Sequence, residues 1–169
     1  MADTTPIPIV LCGKTEFIGQ RVIEALKPEI EGKNSFTRVL RQLLTPSVVQ
    51  FIMPGESGKL LIPELLAGKT LSDHPERSDI GSGNYAQAPR AVVLGGAFDE
   101  SDIAVFKDAA KAVPGARSVA WVRQDSTQPA PPVTSPEYPK LMTKRTKEAV
   151  LKLDKDGKLN GDYNELEWY

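Results

Sequence analysis

Ile7-Pro8-Ile9-Val10-Leu11-Cys12-Gly13-Lys14-Thr15-Glu16-Phe17-Ile18-Gly19 decides the fold of this chain. A short, largely β-branched apolar run stops at a glycine, and apolar residues return at Ile18, Val22, Ala25 and Leu26 with helical spacing. Glycine takes backbone conformations that other residues resist, so strand, tight turn and helix follow in that order, which is how a βαβ unit opens. The reading is a strand over 7–11 and a helix over 15–26. Glu16 falls in that helix's first turn, where a carboxylate is stabilising by ~0.3–1 kcal/mol.

Outward from this unit the same grammar repeats. Val48-Val49-Gln50-Phe51-Ile52 reads as a second strand ended by Pro54-Gly55, and Ala91-Val92-Val93-Leu94, closed by Gly95-Gly96, as a third. Uninterrupted apolar runs of this kind belong to a parallel sheet covered on both faces. Residues 56–66 suit an amphipathic helix with Leu60, Leu61, Leu65 and Leu66 inward. Asp99 caps another helix, which carries Asp102 at its third position and Ile103, Phe106, Ala110 and Val113 on one face, before Pro114-Gly115 ends it. A fourth strand covers 119–122. Gln128 to Pro139 holds five prolines and reads as an extended surface strap; a helix over 137–156 follows, with Leu141, Met142, Ala149 and Leu153 inward. Tyr163, Leu166, Trp168 and Tyr169 make an apolar tail that docks.

These elements give a single α/β domain over 1–169, a Rossmann-like three-layer fold: a short parallel sheet in the order 2-1-3-4 with helices on both faces. Its switch point lies between the first and third strands, with Gly13 and Gly95 at their carboxyl edges. Two stretches fit less simply. Gly32–Ser47 contains no acid but Lys33, Arg38 and Arg41. It reads either as an additional helix buried through Phe36, Val39, Leu40, Leu43 and Leu44, or as a sixteen-residue insertion, which could be retained non-coding sequence. Gly68–Pro89 is turn chemistry throughout, and its Gly81-Ser82-Gly83-Asn84-Tyr85 portion is expected to line a site.

With 21 Lys and Arg against 22 Asp and Glu, no net charge drives the chain toward nucleic acid or an anionic membrane. One cysteine, Cys12, excludes an internal disulfide framework and suits a reducing compartment. The first residues lack a basic signal-peptide region, and no apolar run approaches the ~18 residues a membrane span needs. The expectation is a soluble, cytoplasmic protein.

Leu11-Cys12-Gly13-Lys14-Thr15-Glu16-Phe17-Ile18-Gly19 resembles the NAD(P)-binding turn of extended short-chain dehydrogenases, T-G-x-x-G-F-I-G. Gly13 matches the first glycine, Phe17 and Ile18 the apolar pair, and Gly19 the last. Glu16 replaces the middle glycine, whose absence of a side chain lets backbone approach the pyrophosphate. That family's ribose-binding acid lies about 20 residues beyond the last glycine. Glu56 stands 37 beyond Gly19, or 21 with the sixteen-residue segment removed. Beyond this turn, the Gly-Ser-Gly-Asn-Tyr, Pro-Arg-Ala-Val-Val-Leu-Gly-Gly and Pro-rich stretches make the chain similar to small uncharacterised fungal Rossmann-like proteins.

Catalytic chemistry is sparse. Gly13-Lys14-Thr15 is no phosphate loop, because Pro8 occupies the place of its first glycine. The Tyr-x-x-x-Lys pair of short-chain reductases is missing after Tyr85, Tyr163 and Tyr169. His74 lies in the polar loop, Cys12 ends a buried strand, and one histidine with one cysteine does not make a His/Cys zinc site. The second turn leads into Asp99, Glu100 and Asp102, which repel phosphate. The expectation is a protein that binds a nucleotide or other small polar ligand through Gly13, Lys14, Thr15, Gly19, Gly95 and Gly96, with NAD(P) disfavoured by Glu16 and no catalytic residue assigned. The alternative is an inert accessory protein acting through a protein partner or homo-oligomer.

Overall fold

The computed structural model describes residues 6–27 and 45–169. The two readings of 32–47 therefore fall mostly outside the described residues. The elements are β1 (Ile7–Cys12), α1 (Glu16–Leu26), β2 (Pro46–Ile52), α2 (Glu56–Leu66), β3 (Ala91–Leu94), α3 (Glu100–Lys111), β4 (Ala120–Arg123), α4 (Glu137–Lys155) and β5 (Leu166–Trp168). Every pairing is parallel, and the order is β2-β1-β3-β4-β5. The Rossmann-like layering expected from the sequence is present. The tail adds a fifth strand, so the order is 2-1-3-4-5 and not 2-1-3-4.

Alternation along the strands builds two cores. Ile7, Ile9 and Leu11 join Val93, Val122, Met142 and Val150 under α1 and α4; Val10, Cys12, Val92, Leu94 and Trp121 face Leu61, Leu65, Ile103 and Phe106 of α2 and α3. Thr15 caps α1, its side chain accepting from the Ile18 amide at 3.4 Å. Asp99 and Asp102 form a reciprocal capping box at the start of α3. Pro139 falls in the first turn of α4, where a missing N–H costs no intrahelical bond. Ala25 and Leu60, expected inside, are exposed. Val22 and Leu26 of α1, and Leu61, Ile62, Leu65 and Leu66 of α2, supply the buried stripes.

β2 begins two residues earlier than its apolar run, at Pro46, opposite Ile7. A proline is tolerated at the first residue of an edge strand. The boundary of the supposed insertion thus cuts into the strand. The register also slips by one residue between Ile9/Val10 and Val48/Gln50, leaving Val49 as the extra residue of a bulge. Val48 and Phe51, three apart, consequently share the α1 face.

The glycine-rich loop does not line the carboxyl crevice as expected. It runs along the outer edge of β2: Phe51 N donates to Ile80 O, Ser82 N to Val48 O and Gly83 N to Val49 O, at 2.9, 2.8 and 3.0 Å. Buried Gln50 fastens it from inside, donating to Ser78 O at 2.8 Å and accepting from the Tyr85 hydroxyl at 2.7 Å. The strand's unpaired backbone groups required this cover. Among the described residues no helix is long and apolar enough to cross a membrane.

Candidate functional site

At the switch point, β1 and β3 end side by side. Gly13 N donates to Ile52 O and Gly95 N to Cys12 O, at 3.0 and 2.9 Å, so both turns leave the sheet at one level. A side chain at Gly95 would stand 3.3 Å from Cys12 O, which keeps this floor bare. Above it lies a cavity of about 670 Å³. Its walls are Ile18, Gly19 and Val22 of α1, Tyr138, Met142 and Thr146 of α4, and Val133 of the proline-rich strap.

Of the residues expected to bind ligand, Gly13, Lys14, Gly19, Gly95 and Gly96 line this one cavity. Thr15 does not, because its side chain is turned to cap α1. Glu16 is exposed in the first turn and also lies outside the lining. Gly81 and Ser82 instead border a hollow of about 280 Å³ beside Pro6, Pro46 and Val48, at the amino end of β2.

The glycines of the first turn answer to a neighbour inside the protein. A Cβ on Gly19 would stand 2.4 Å from the Phe51 ring, and one on Gly13 3.1 Å from it. Phe51 is buried, so the close approach of α1 to β2 demands glycine at 19 and favours it at 13 whether or not a cofactor is bound. Glu16 holds the position that is glycine in the short-chain dehydrogenase turn, and its side chain is exposed, outside the cavity lining.

The polar part of the cavity comes from residues that the sequence reading passed over. Gln124, the first residue after β4, accepts at Oε1 from the Gly96 amide at 3.0 Å and from the Tyr138 hydroxyl at 3.2 Å. Tyr169, immediately after β5, donates to Leu94 O at 3.3 Å. Burial, the largest influence, pushes its phenol pKa well above the ordinary range, and it stays neutral. The Cys12 thiol is likewise raised by burial and is a core group, not a nucleophile. Among the described residues, Lys14, exposed, is the cation of the lining, and no acid lines the cavity. Position 124 carried a legible signal, since the carboxyl end of a strand is where such folds place ligand contacts. The α4 and strap contributions depend on how the chain returns, which local pattern does not encode.

Tyr138 lines the cavity from α4, yet Met142 follows four positions on, so no Tyr-x-x-x-Lys dyad forms there. His74 is remote in the loop, its Nδ1 accepting from Glu76 N. Among the described residues no cluster of three His, Cys, Asp or Glu could hold a metal.

Kojic acid related protein 6 of Aspergillus oryzae (strain ATCC 42149 / RIB 40) is 30% identical over 159 residues, spanning 92% of this chain and 83% of that protein. The chain belongs to its family. No family model matches the chain, and no solved structure matches it. The likeness covers nine-tenths of this chain, so the kinship is one of whole domains and not of a shared motif.

Proposed function

We propose that this protein binds a small polar ligand, of nucleotide size or smaller, in the cavity over the carboxyl ends of β1 and β3. One observation carries the reading: the 670 Å³ cavity sits at the topological switch point, on a floor of bare glycine backbone. Its mixture of apolar wall and a few convergent polar groups is the usual make-up of a small-molecule site. The missing dyad favours binding without an assigned reaction. The single, buried cysteine fits a cytoplasmic setting.

A second reading, an accessory protein acting through a partner or a second copy, is favoured by a different feature. β5 leaves one sheet edge with Trp168 47% exposed, while the other edge is covered by the loop. Amide-resolved NMR titration separates the two. AMP, NAD, NADP and kojic acid, which the relative's name carries, would be added to millimolar concentration. The cavity reading expects at least one of them to move the resonances of Gly13, Gly95, Gly96 and Val133 together. If none does, while β5 amides broaden with protein concentration, the partner reading replaces it.

A further inference from the structure

Resting on that reading of the cavity, we propose that its ligand carries a carboxylate or phosphate group and that Arg145 is the residue that receives it. Arg145 is partly buried on α4, in sequence between Met142 and Thr146, which both line the cavity. Its Nη2 donates to Pro129 O of the strap at 2.7 Å, while its Nη1 is buried with no hydrogen-bond partner. Among the described residues this is the one buried side-chain polar atom left so. The guanidinium also makes no ion pair among the described residues, whereas Arg77, Arg90 and Arg123 each hold one. Asp125, the acid on which its charge acts, is committed elsewhere: Oδ1 accepts from Thr127 N and Thr127 Oγ1 at 2.9 and 2.6 Å, and Oδ2 from Gln128 Nε2 at 3.3 Å. A guanidinium presents a planar fork of donors matched to the edge of a carboxylate or phosphate. Leaving one prong buried without an acceptor is costly, so a ligand that brings the acceptor is favoured.

The cavity is prepared for negative charge. Among the described residues Lys14 is the charged member of its lining. At Tyr169, also in the lining, burial dominates the phenol's pKa, yet the Arg145 charge acts there in favour of the anion, so its field extends to the cavity. Arg145 does not line the cavity itself, and the strap is the part that gives way. Beyond their flanks at Asp125 and Ser135, residues 126–134 make one hydrogen bond to the rest of the domain among the described residues, the one from Arg145 to Pro129 O. Val133, four residues further along the strap, lines the cavity while 57% exposed. Exchanging Pro129 O for an oxyanion thus gives up one bond to a neutral acceptor and makes a charge-paired, two-pronged one, which is the stronger.

Inorganic phosphate and acetate test this, each titrated into the ¹⁵N-labelled protein to tens of millimolar at constant ionic strength, so that screening does not vary. At least one of them is expected to move the Arg145 Nε–H resonance and the Val133 amide along a single saturating curve, and the stronger response names the group as phosphate or carboxylate. Arg145→Gln should weaken this binding about tenfold or more, the loss of a charge-assisted pair. Lys140→Gln removes a cation from an exposed position of the same helix and should leave the affinity within about twofold. Equal weakening by the two variants would assign the effect to diffuse charge and overturn the role of Arg145. Should Arg145→Gln fold poorly, the Arg145 Nε–H shift in the parent protein decides alone. If neither anion nor AMP moves Arg145 while Gly13 and Gly95 still respond to any of the compounds tried on the cavity, Arg145 is a staple for the strap and the cavity remains a binding site. If none of these resonances moves, the recognition and the site are both overturned.

Discussion

Replacing Gly81 by alanine tests whether the loop over β2 is part of the sheet or an ornament on it. Gly81 has φ +121°, a backbone that side chains resist, which alone costs about 1–3 kcal/mol. A Cβ there would also stand 2.6 Å from Val49 O and 3.0 Å from Gln50 Cα. Both neighbours are backbone in a buried strand, so neither can turn aside. The loop must lift instead, loosening the bonds from Ser82 N to Val48 O and from Gly83 N to Val49 O, at about 1 kcal/mol each. The expected loss is thus about 3–5 kcal/mol, or on the order of 10 °C in Tm for a domain of this length. Urea unfolding measures the total, and amide exchange at Phe51, Ser82 and Gly83 shows whether the edge opens. Gly83→Ala is the control: it has φ +63° with nothing within 4 Å of the added atom, so only the conformational penalty, about 1–2 kcal/mol, should appear. If Gly81→Ala costs no more than Gly83→Ala and leaves Phe51 N–H protected, the steric argument fails.

Two further outcomes are expected. Glu167 accepts from Lys158 at 2.6 Å and from the Tyr163 hydroxyl at 2.5 Å. The Lys158 bond, with Tyr163 second, lowers its pKa, and Lys158 is raised chiefly by the same bond. The stabilisation is therefore fully present above Glu167's unfolded value and lost as pH falls through its lowered folded value; on Lys158's side it is lost only as pH rises through a value above 10.5. Glu167→Gln should lower Tm by a few degrees at pH 7, and the difference from the parent should shrink below about pH 4; a difference unchanged down to pH 2.5 would rule out the ion pair as its source. The Cys12 thiol, 1% exposed, should react with a disulfide reagent only as fast as the protein unfolds, so rapid labelling of the native protein would show that β1 is not covered as described.

What could be read from the sequence was what local pattern controls. The apolar runs at Ile9–Leu11 and Ala91–Leu94, each closed by glycine, announced strands buried on both faces and hence the parallel order. Asp99 and Asp102 announced the start of α3 because a capping box is local chemistry. β5 escaped because Leu166-Glu167-Trp168 is short and half polar, and it is held by partners distant in sequence, such as Trp121 Nε1 donating to Asn164 Oδ1 at 2.8 Å. The loop's turn residues were visible, but its place was not, since that depends on the edge β2 presents after the bulge. The glycines at the cavity were legible as a motif. Their cause was not, because Phe51 lies far along the chain.

The single extra residue at Val49 has a reach beyond its strand. By moving Phe51 onto the α1 face, it sets a ring against positions 13 and 19, crowding a side chain at the first and excluding one at the second. The residue count of one edge strand and the composition of a distant turn are therefore one inherited character. Descendants that lose the bulge would be released to put alanine or serine at position 19, and those that keep it would not. A glycine pattern taken for the mark of a cofactor could then persist through generations in which no cofactor was ever bound.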